Sequence, residues 1–367
     1  MNVLDVVFVI GGLSLLVGGG EALVRGASTL AVRAGISPLV IGLVVVSFAT
    51  SAPELAVSVG AVISGEPDLA VGNVVGSNIA NILLVLGISA VICPLVIKRQ
   101  LVKFDIPVMV AISVVFLLVS LDGRISLIDG VLLVGVLVIH AVMSIVLGKK
   151  DASAPSLEEN SLPFNTKPVP LWLAALLLLA GIGLLVLGAQ LLVTGAVSIA
   201  TAFGVSSLVI GLTVVAIGTS LPELATSIVA LRKGETDMAV GNIVGSNIFN
   251  IGLVLGVPAI IFGDGIPVPD AAIAIDIPLM LAAAVALLPI AFTGFIVARW
   301  EGALFVSLYL AYTLYLVLDS TQHDATDGFT TIMLLFVMPL VGIILIAMAL
   351  YEVGMRKKRK SQLPTNI

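Results

Sequence analysis

Residues 35–82, GISPLVIGLVVVSFATSAPELAVSVGAVISGEPDLAVGNVVGSNIANI, return at 204–251 as GVSSLVIGLTVVAIGTSLPELATSIVALRKGETDMAVGNIVGSNIFNI. The copies align without a gap at an offset of 169, and roughly two-thirds of their positions are identical. Weaker similarity extends upstream, where Gly26 and Ala27 match Gly195 and Ala196. A duplication of this kind restricts the fold to two halves of one architecture. How those halves are oriented depends on what lies between them.

What lies between them is apolar. Of 367 residues, 59% are hydrophobic and 11% charged, with a mean hydropathy of +1.24. That is too little charge to cover a soluble protein of this length, so the chain reads as an all-α polytopic membrane protein. A span takes about 20 mostly apolar residues. Eleven such runs occur, near 3–24, 38–64, 70–96, 104–121, 127–148, 170–194, 205–231, 238–262, 271–293, 300–318 and 329–354. The first lacks a basic leader and reads as a transmembrane helix, not a cleaved signal peptide. Residues 148–170 are rich in Ser, Pro and charge and read as a flexible linker. The expected division is a five-helix repeat over 1–147, a linker over 148–169, a second five-helix repeat over 170–318, and an extra helix with a basic tail over 319–367. The single cysteine, Cys93, excludes an internal disulfide and reads as a small packing residue.

Charge sets the expected orientation. Placing the N-terminus outside puts sixteen of the seventeen Lys and Arg residues on the cytoplasmic side and leaves only Arg124 outside. The linker and the C-terminal tail then face the cytoplasm of a prokaryotic plasma membrane. The 169-residue offset spans five helices. An odd number makes the second copy enter the membrane from the opposite side. The loop at Gly65–Asp68 is expected outside and its counterpart at Gly234–Asp237 inside. These are inverted-topology repeats, an arrangement that in transporters places substrate and ion sites near the midplane at broken helices.

The repeated motif carries the chemistry. FATSAPELAVS at 48–58 and IGTSLPELATS at 217–227 each place a proline and a glutamate in the middle of an apolar span. A carboxylate at a helix centre costs about 2.5–3.5 kcal/mol on the insertion scale. No Lys or Arg lies near the centre of any span, so Glu54 and Glu223 lack a built-in counter-ion and call for a cation from solution. Pro53 and Pro222 each lack an N–H and clash with the preceding turn. A break near Thr50–Ser51 would free backbone carbonyls beside the hydroxyls of Thr50, Ser51, Thr219 and Ser220. Such an oxygen-rich cage suits hard cations, which take six to eight oxygens in the case of Ca²⁺. Ser51-x-x-Glu54 and Ser220-x-x-Glu223 also fit a capping box, and the two readings can coexist because a half-helix dipole favours an ionised Glu.

The partner motif is GNVVGSNIAN at 72–81, repeated as GNIVGSNIFN at 241–250. Asn73, Ser77 and Asn81 fall at i, i+4, i+8 and make one polar stripe. Ser77, Asn81, Ser246 and Asn250 are expected to touch ions, while Asn78 and Asn247 fit either ion contact or helix–helix hydrogen bonding. Gly72 and Gly76 form a small-xxx-small pair that allows close helix approach. Other polar residues read as structural. Glu21 and Arg25 fit an i, i+4 pair, and Asp105 and Asp276 fit helix caps. His140 and His323 stand alone in the sequence and are assigned no role.

At these motifs the chain resembles the calcium/cation antiporter superfamily, with its prokaryotic sodium/calcium exchanger branch as the best match. The resemblance covers the first ten helices; the eleventh helix and the basic tail lie beyond it. It implies a ten-helix exchanger core in which Glu54 and Glu223 are the main Ca²⁺ ligands, completed by the backbone carbonyls of Thr50 and Thr219. Flanking Na⁺ sites are implied at Ser51, Ser77, Ser220 and Ser246 with the carbonyls of Ser47 and Ala216, and Asn81 and Asn250 line the centre. The implied mechanism is electrogenic exchange of about three Na⁺ for one Ca²⁺, with the first and sixth helices sliding across the core. Two positions depart from the pattern. Asn250 stands where potassium-dependent members carry Asp, which argues against K⁺ dependence. Phe48-Ala49 stands where the second copy has Ile217-Gly218, which alters the packing expected at the break.

The resulting expectation is a Na⁺/Ca²⁺ antiporter, with an H⁺/Ca²⁺ antiporter of the same superfamily as the alternative. The expected partners are Ca²⁺, Na⁺ or H⁺, and the lipid bilayer. No further cofactor, no nucleic acid and no enzyme activity are expected, and the oligomeric state is open. A cation channel fits poorly, because a pore favours symmetry about the membrane normal. A membrane hydrolase would need a nucleophile–base set, and none is present.

Overall fold

A computed structural model describes the chain apart from residues 1–2, 66, 154–168, 204–215, 264, 322, 324, 345, 348–349, 352–353 and 355–367. Among the described residues, ten helices are long and apolar enough to span a bilayer. They are α1 (Val3–Ala34), α2 (Pro38–Ile63), α3 (Pro67–Ile92), α4 (Leu101–Ser120), α5 (Leu127–Gly148), α6 (Leu171–Ala202), α8 (Thr236–Ile261), α9 (Ala272–Phe292), α10 (Arg299–Ser320) and α11 (Thr326–Ile344). Between α6 and α8 lies α7, described as Ala216–Thr219 and Leu221–Arg232. The first half of the expected seventh span lies outside the described residues. Helix continues beyond α5 through Ser153, into the segment expected to be linker.

Two helices overrun their expected lengths. With 32 residues each, α1 and α6 are about 48 Å long, well beyond a hydrocarbon core of about 30 Å. Arg25 and Arg33 therefore sit on a helix and not in a loop. A sequence window sees where hydropathy falls, not where the backbone stops hydrogen bonding. The expected Glu21–Arg25 ion pair does not form. Instead the Glu21 carbonyl accepts from Lys233 Nζ at 3.5 Å.

The two long helices pack antiparallel along a seam of small residues. Gly12, Gly19 and Gly26 recur every seventh residue on α1, as do Ala174, Gly181, Gly188 and Gly195 on α6. A Cβ added at Gly12 would meet the Gly188 carbonyl at 2.7 Å, at Gly19 the Gly181 carbonyl at 3.0 Å, and at Gly26 the Ala174 carbonyl at 2.6 Å. Backbone rests on backbone along the whole contact.

The buried centre is made by the duplicated segment. In α3 and α8, 78% and 83% of the central residues are buried, whereas the described part of α11 buries none. The first part of α2 packs against α8, where a Cβ at Gly241 would meet the Leu39 carbonyl at 2.6 Å. Among the described residues nothing lies within 4 Å of a Cβ at the equivalent Gly72 or at Gly76. The counterparts of Leu39 and Leu43, residues 208 and 212, lie outside the described residues. The same turn joins the paired helices of each copy, with Gly65 at φ +80° and Gly234 at φ +78°, a conformation that glycine adopts without strain.

Short antiparallel ribbons tie the halves together at opposite ends. β1 (Leu95–Val96) pairs with β4 (Ile296–Val297), and β2 (Arg124–Ile125) pairs with β3 (Ile266–Pro267). Lys98 bonds Asp237 at 2.7 Å, and Arg299 reaches the Ile92 carbonyl at 3.4 Å. Each of these contacts joins loops that the alternation of spans assigns to one face. The fold is thus two inverted five-helix repeats plus an extra C-terminal helix. The face bearing the linker, Lys98 and Lys233 is called the basic face below.

Candidate ion-binding site

The glutamates stand at matched one-residue kinks. In α2, helix Ser47–Thr50 stops at Ser51, where φ is −82° and ψ −2°, and resumes at Ala52. In α7, Ser220 takes φ −89° and ψ 5° before Leu221. Pro53 and Pro222 follow two residues later and withdraw the N–H that an unbroken helix would offer to the carbonyls of Ala49 and Gly218. Each half-helix that starts at a glutamate packs against the π-helical stretch of the opposite copy: α2 against Asn250–Leu255, and α7 against Ala80–Leu86. Asn81 and Asn250 lie at the beginnings of these π segments. Such π-helical turns are rare and concentrate at functional sites.

The result is a buried set of oxygens with nothing to bind. Glu54 is 1% exposed and Glu223 0%. All four carboxylate oxygens lack a hydrogen-bond partner, as do Ser51 Oγ, Ser220 Oγ, Ser77 Oγ, both polar atoms of Asn81, and Asn250 Oδ1. The capping box does not form in either copy, since neither Ser51 nor Ser220 caps its helix and neither glutamate bonds back. Leaving that many buried polar atoms unpaired is costly. So many unpaired buried oxygens gathered around two carboxylates fit an oxygen-seeking cation. Among the described residues no three His, Cys, Asp or Glu side chains cluster as a transition-metal site would require.

The remaining expected site residues are more engaged. Ser47 Oγ lies 2.8 Å from the Gly42 carbonyl and 2.9 Å from the Asn242 carbonyl. The Thr50 hydroxyl is beside Glu223 but makes its closest contacts, 3.2 Å each, with Asn242 Oδ1 and Ser246 Oγ. Asn250 Nδ2 donates to Asn78 Oδ1 at 3.2 Å, and Asn78 Nδ2 reaches Met280 Sδ at 3.5 Å. Asn247 bonds back to the Ile243 carbonyl at 2.7 Å. Asn78 thus bonds across helices, while Asn247 bonds within its own. Asn73 donates to the Glu54 carbonyl at 3.2 Å and to Ser58 Oγ at 3.1 Å. Phe48 meets Phe249 edge-on with ring centroids 6.0 Å apart, so the bulky departure in the first copy is matched by a bulky residue in the second.

Thr219 lies on the wall of a cavity of about 470 Å³ between α6 and the two kinks, lined also by Pro53, Pro222, Gln190 and Thr194. Ala216 opens the described part of α7. Sequence reasoning missed Thr226 and Ser227, whose buried hydroxyls also lack partners. They sit three and four residues after Glu223, on its own face of the helix. The repeat held a signal for one of them, because Ser227 matches Ser58 at the 169 offset.

Comparisons with known proteins identify the family. The family model described as sodium/calcium exchanger protein matches residues 4–146 and again 173–318. An antiporter of Alkalimonas amylolytica, provisionally designated CaxA, is 42% identical over 317 residues, covering 86% of this chain and 98% of its own. The inner membrane protein YrbG of Escherichia coli is 41% identical over 252 residues, covering 68% of this chain and 78% of its own. The solved sodium-calcium exchanger NCX_Mj, soaked with Na⁺ and Sr²⁺, superposes with a TM-score of 0.71 at 34% identity, covering 84% of this chain and 97% of that one. With both halves matched by the same family model and the fold shared, the chain belongs to the sodium/calcium exchanger family of membrane antiporters.

Proposed function

We propose that the chain exchanges Na⁺ for Ca²⁺ across a prokaryotic plasma membrane, with about three Na⁺ per Ca²⁺, by alternating access to the cage between Glu54 and Glu223. The observation that carries this reading is the set of four buried, unpartnered carboxylate oxygens at two facing kinks. Ca²⁺ would neutralise both glutamates at once. Na⁺ ions would do so separately, each drawing on the hydroxyls and carbonyls beside its glutamate: Ser51 and Ser77 on one flank, Ser220 and Ser246 on the other, with the carbonyls of Ser47, Thr50, Ala216 and Thr219. Competition for one pair of carboxylates is what couples the two fluxes. Coupling to Na⁺ and not to H⁺ is supported by the free oxygens of Ser51, Ser77, Ser220 and Asn81, which a proton does not need.

The test is Ca²⁺ uptake into proteoliposomes loaded with Na⁺ and diluted into Ca²⁺, with and without a pH gradient. The expected result is uptake that requires internal Na⁺, responds to membrane voltage and persists without a pH gradient. Uptake that follows pH and ignores Na⁺ would replace this reading with H⁺/Ca²⁺ exchange.

A further inference from the structure

A second buried polar cluster lies outside the cage. His140 Nε2 on α5 is 2.9 Å from Asp105 Oδ1 on α4, and Ser144 Oγ donates to the same oxygen at 2.9 Å. Phe104 stacks on the imidazole with ring centroids 5.7 Å apart. All three polar residues are 2% exposed or less. Asp105 is thus not a helix cap, and His140 is not solitary. Asp105 Oδ2 and His140 Nδ1 remain without partners. A nucleophilic triad is excluded, because Ser144 (3.2 Å away) and Asp105 share Nε2, whereas proton relay needs them on opposite ring nitrogens.

The inverted repeat supplies an internal comparison. Gly130 packs on the Gly256 carbonyl as Gly302 packs on the Gly87 carbonyl, which sets α5 and α10 in correspondence. Asp105 then corresponds to Asp276 and His140 to Tyr312, and the Tyr312 hydroxyl donates to Asp276 Oδ1 at 3.2 Å. Each half therefore has a carboxylate-to-ring strut between its last two helices. A fastener alone would work with either ring. Only the copy toward the basic face has a ring whose charge ordinarily changes between about pH 5 and 8. That copy alone adds a serine, since Leu316 stands where Ser144 would be.

We propose that Asp105, His140 and Ser144 form a proton-binding site, separate from the ion cage, whose occupancy sets how α5 packs on α8. A proton taken up at Nδ1 makes an imidazolium–aspartate pair, so the charge does not stand alone in the low-dielectric interior. Asp105 is the fifth residue of α4, and His140 lies eight residues from Gly148, about 12 Å along the helix, so the approach from the basic face is short. One turn from His140, Leu137 presses on α8, where a Cβ at Gly252 would sit 2.6 Å from Leu137 Cβ. Gly252 is two residues from Asn250. Among the described residues, the charged groups on the packed elements are few. They are Lys103, which is exposed, Lys98 paired with Asp237, Glu235 in the loop before α8, Asp129 at the far end of α5, which accepts from the Ser126 N–H at 2.8 Å, and Lys149, Lys150 and Asp151 on the helical extension of α5.

The chain has two histidines, so His323→Ala leaves His140 as the sole imidazole for ¹⁵N NMR of the full chain in nanodiscs. The expected result is passage from the neutral to the imidazolium signal on acidification, altered in Asp105→Asn. A signal that stays neutral, or a transition indifferent to Asp105→Asn, overturns the proposal. This measurement holds whichever ions are exchanged, so its failure is distinct from failure of the transport reading. In proteoliposomes, His140→Tyr installs the ring of the other half. It is expected to remove a step from the pH profile of Ca²⁺ uptake, and an unchanged profile refutes the effect on α8.

Discussion

The Thr50 hydroxyl of α2 lies 3.2 Å from the Ser246 hydroxyl of α8, whereas Ser77, the counterpart of Ser246, has no partner at all. Two copies of one motif are thus caught in different circumstances. One flank of the cage is closed by helix-to-helix hydrogen bonds, and the other keeps its hydroxyl free. A protein that alternates between two mirror-related states should show such inequality in either state, with the flanks trading roles.

Ser77→Ala and Ser246→Ala should therefore differ. Ser246→Ala removes an interhelical hydrogen bond and should lower stability by about 1 kcal/mol, read as a lower melting temperature in detergent. Ser77→Ala should leave melting nearly unchanged and raise the Na⁺ needed for half-maximal exchange several-fold. Unaltered Na⁺ dependence in Ser77→Ala would take that residue out of the site.

Glu54→Gln and Glu223→Gln should each abolish Ca²⁺ uptake while the protein still inserts and folds. Removing one of two uncompensated buried charges should raise the melting temperature without ions. Ca²⁺ at about 100 times its dissociation constant should stabilise the wild type by about 2.7 kcal/mol and should no longer stabilise either variant. Melting curves with Ca²⁺ and with chelator test both statements, and retained uptake in either variant would break the link between these glutamates and Ca²⁺.

Glu235, in the loop between α7 and α8, is buried, and its carboxyl is pushed up to about 7 by that burial and by neighbouring Asp237, against the opposing pull of Lys98. The folded form therefore holds a proton that the unfolded form releases near 4.5. Stability from this group is full below about pH 4.5 and declines as pH rises toward 7. Glu235→Gln should remove that decline and stabilise the protein by roughly 1–2 kcal/mol at pH 8. A pH–melting profile identical to wild type would contradict it.

Gly12→Ala should destabilise by roughly 1–3 kcal/mol, because the new methyl would meet the backbone of Gly188 and Leu192 at 2.7 Å. Gly11→Ala, with nothing within 4 Å of its Cβ, serves as the control and should be nearly neutral. Equal melting of the two variants would argue that the seam is looser than described.

The repeat made the centre of the cage legible. Glu54 and Glu223 announce themselves because a carboxylate in an apolar span has no cheaper explanation, and their pairing follows from a constant offset. What stayed hidden depends on contacts that no periodicity records. Asp105 and His140 are 35 residues apart on different helices, and each taken alone looks like a cap or a bystander. The kinks were expected from Pro53 and Pro222, but the π segments that begin near Asn81 and Asn250 leave no mark in composition. The length of α1 was underestimated because Glu21 and Arg25 looked like the end of a span, although the helix carries them onward.

The glycine seam between α1 and α6 has a mechanical consequence. Where main chain lies on main chain, no side chain can swing aside to let one helix slip past the other. Under the proposed exchange, the two helices would travel as a single bar. A single bar cannot uncover both ends of the cage at once, so sealing one entrance and opening the other become the same event. Two independently hinged doors would pass through moments with both ajar, and Ca²⁺ would leak down its gradient. Under that mechanism, seven-residue spacing of small residues on both helices would remove that state.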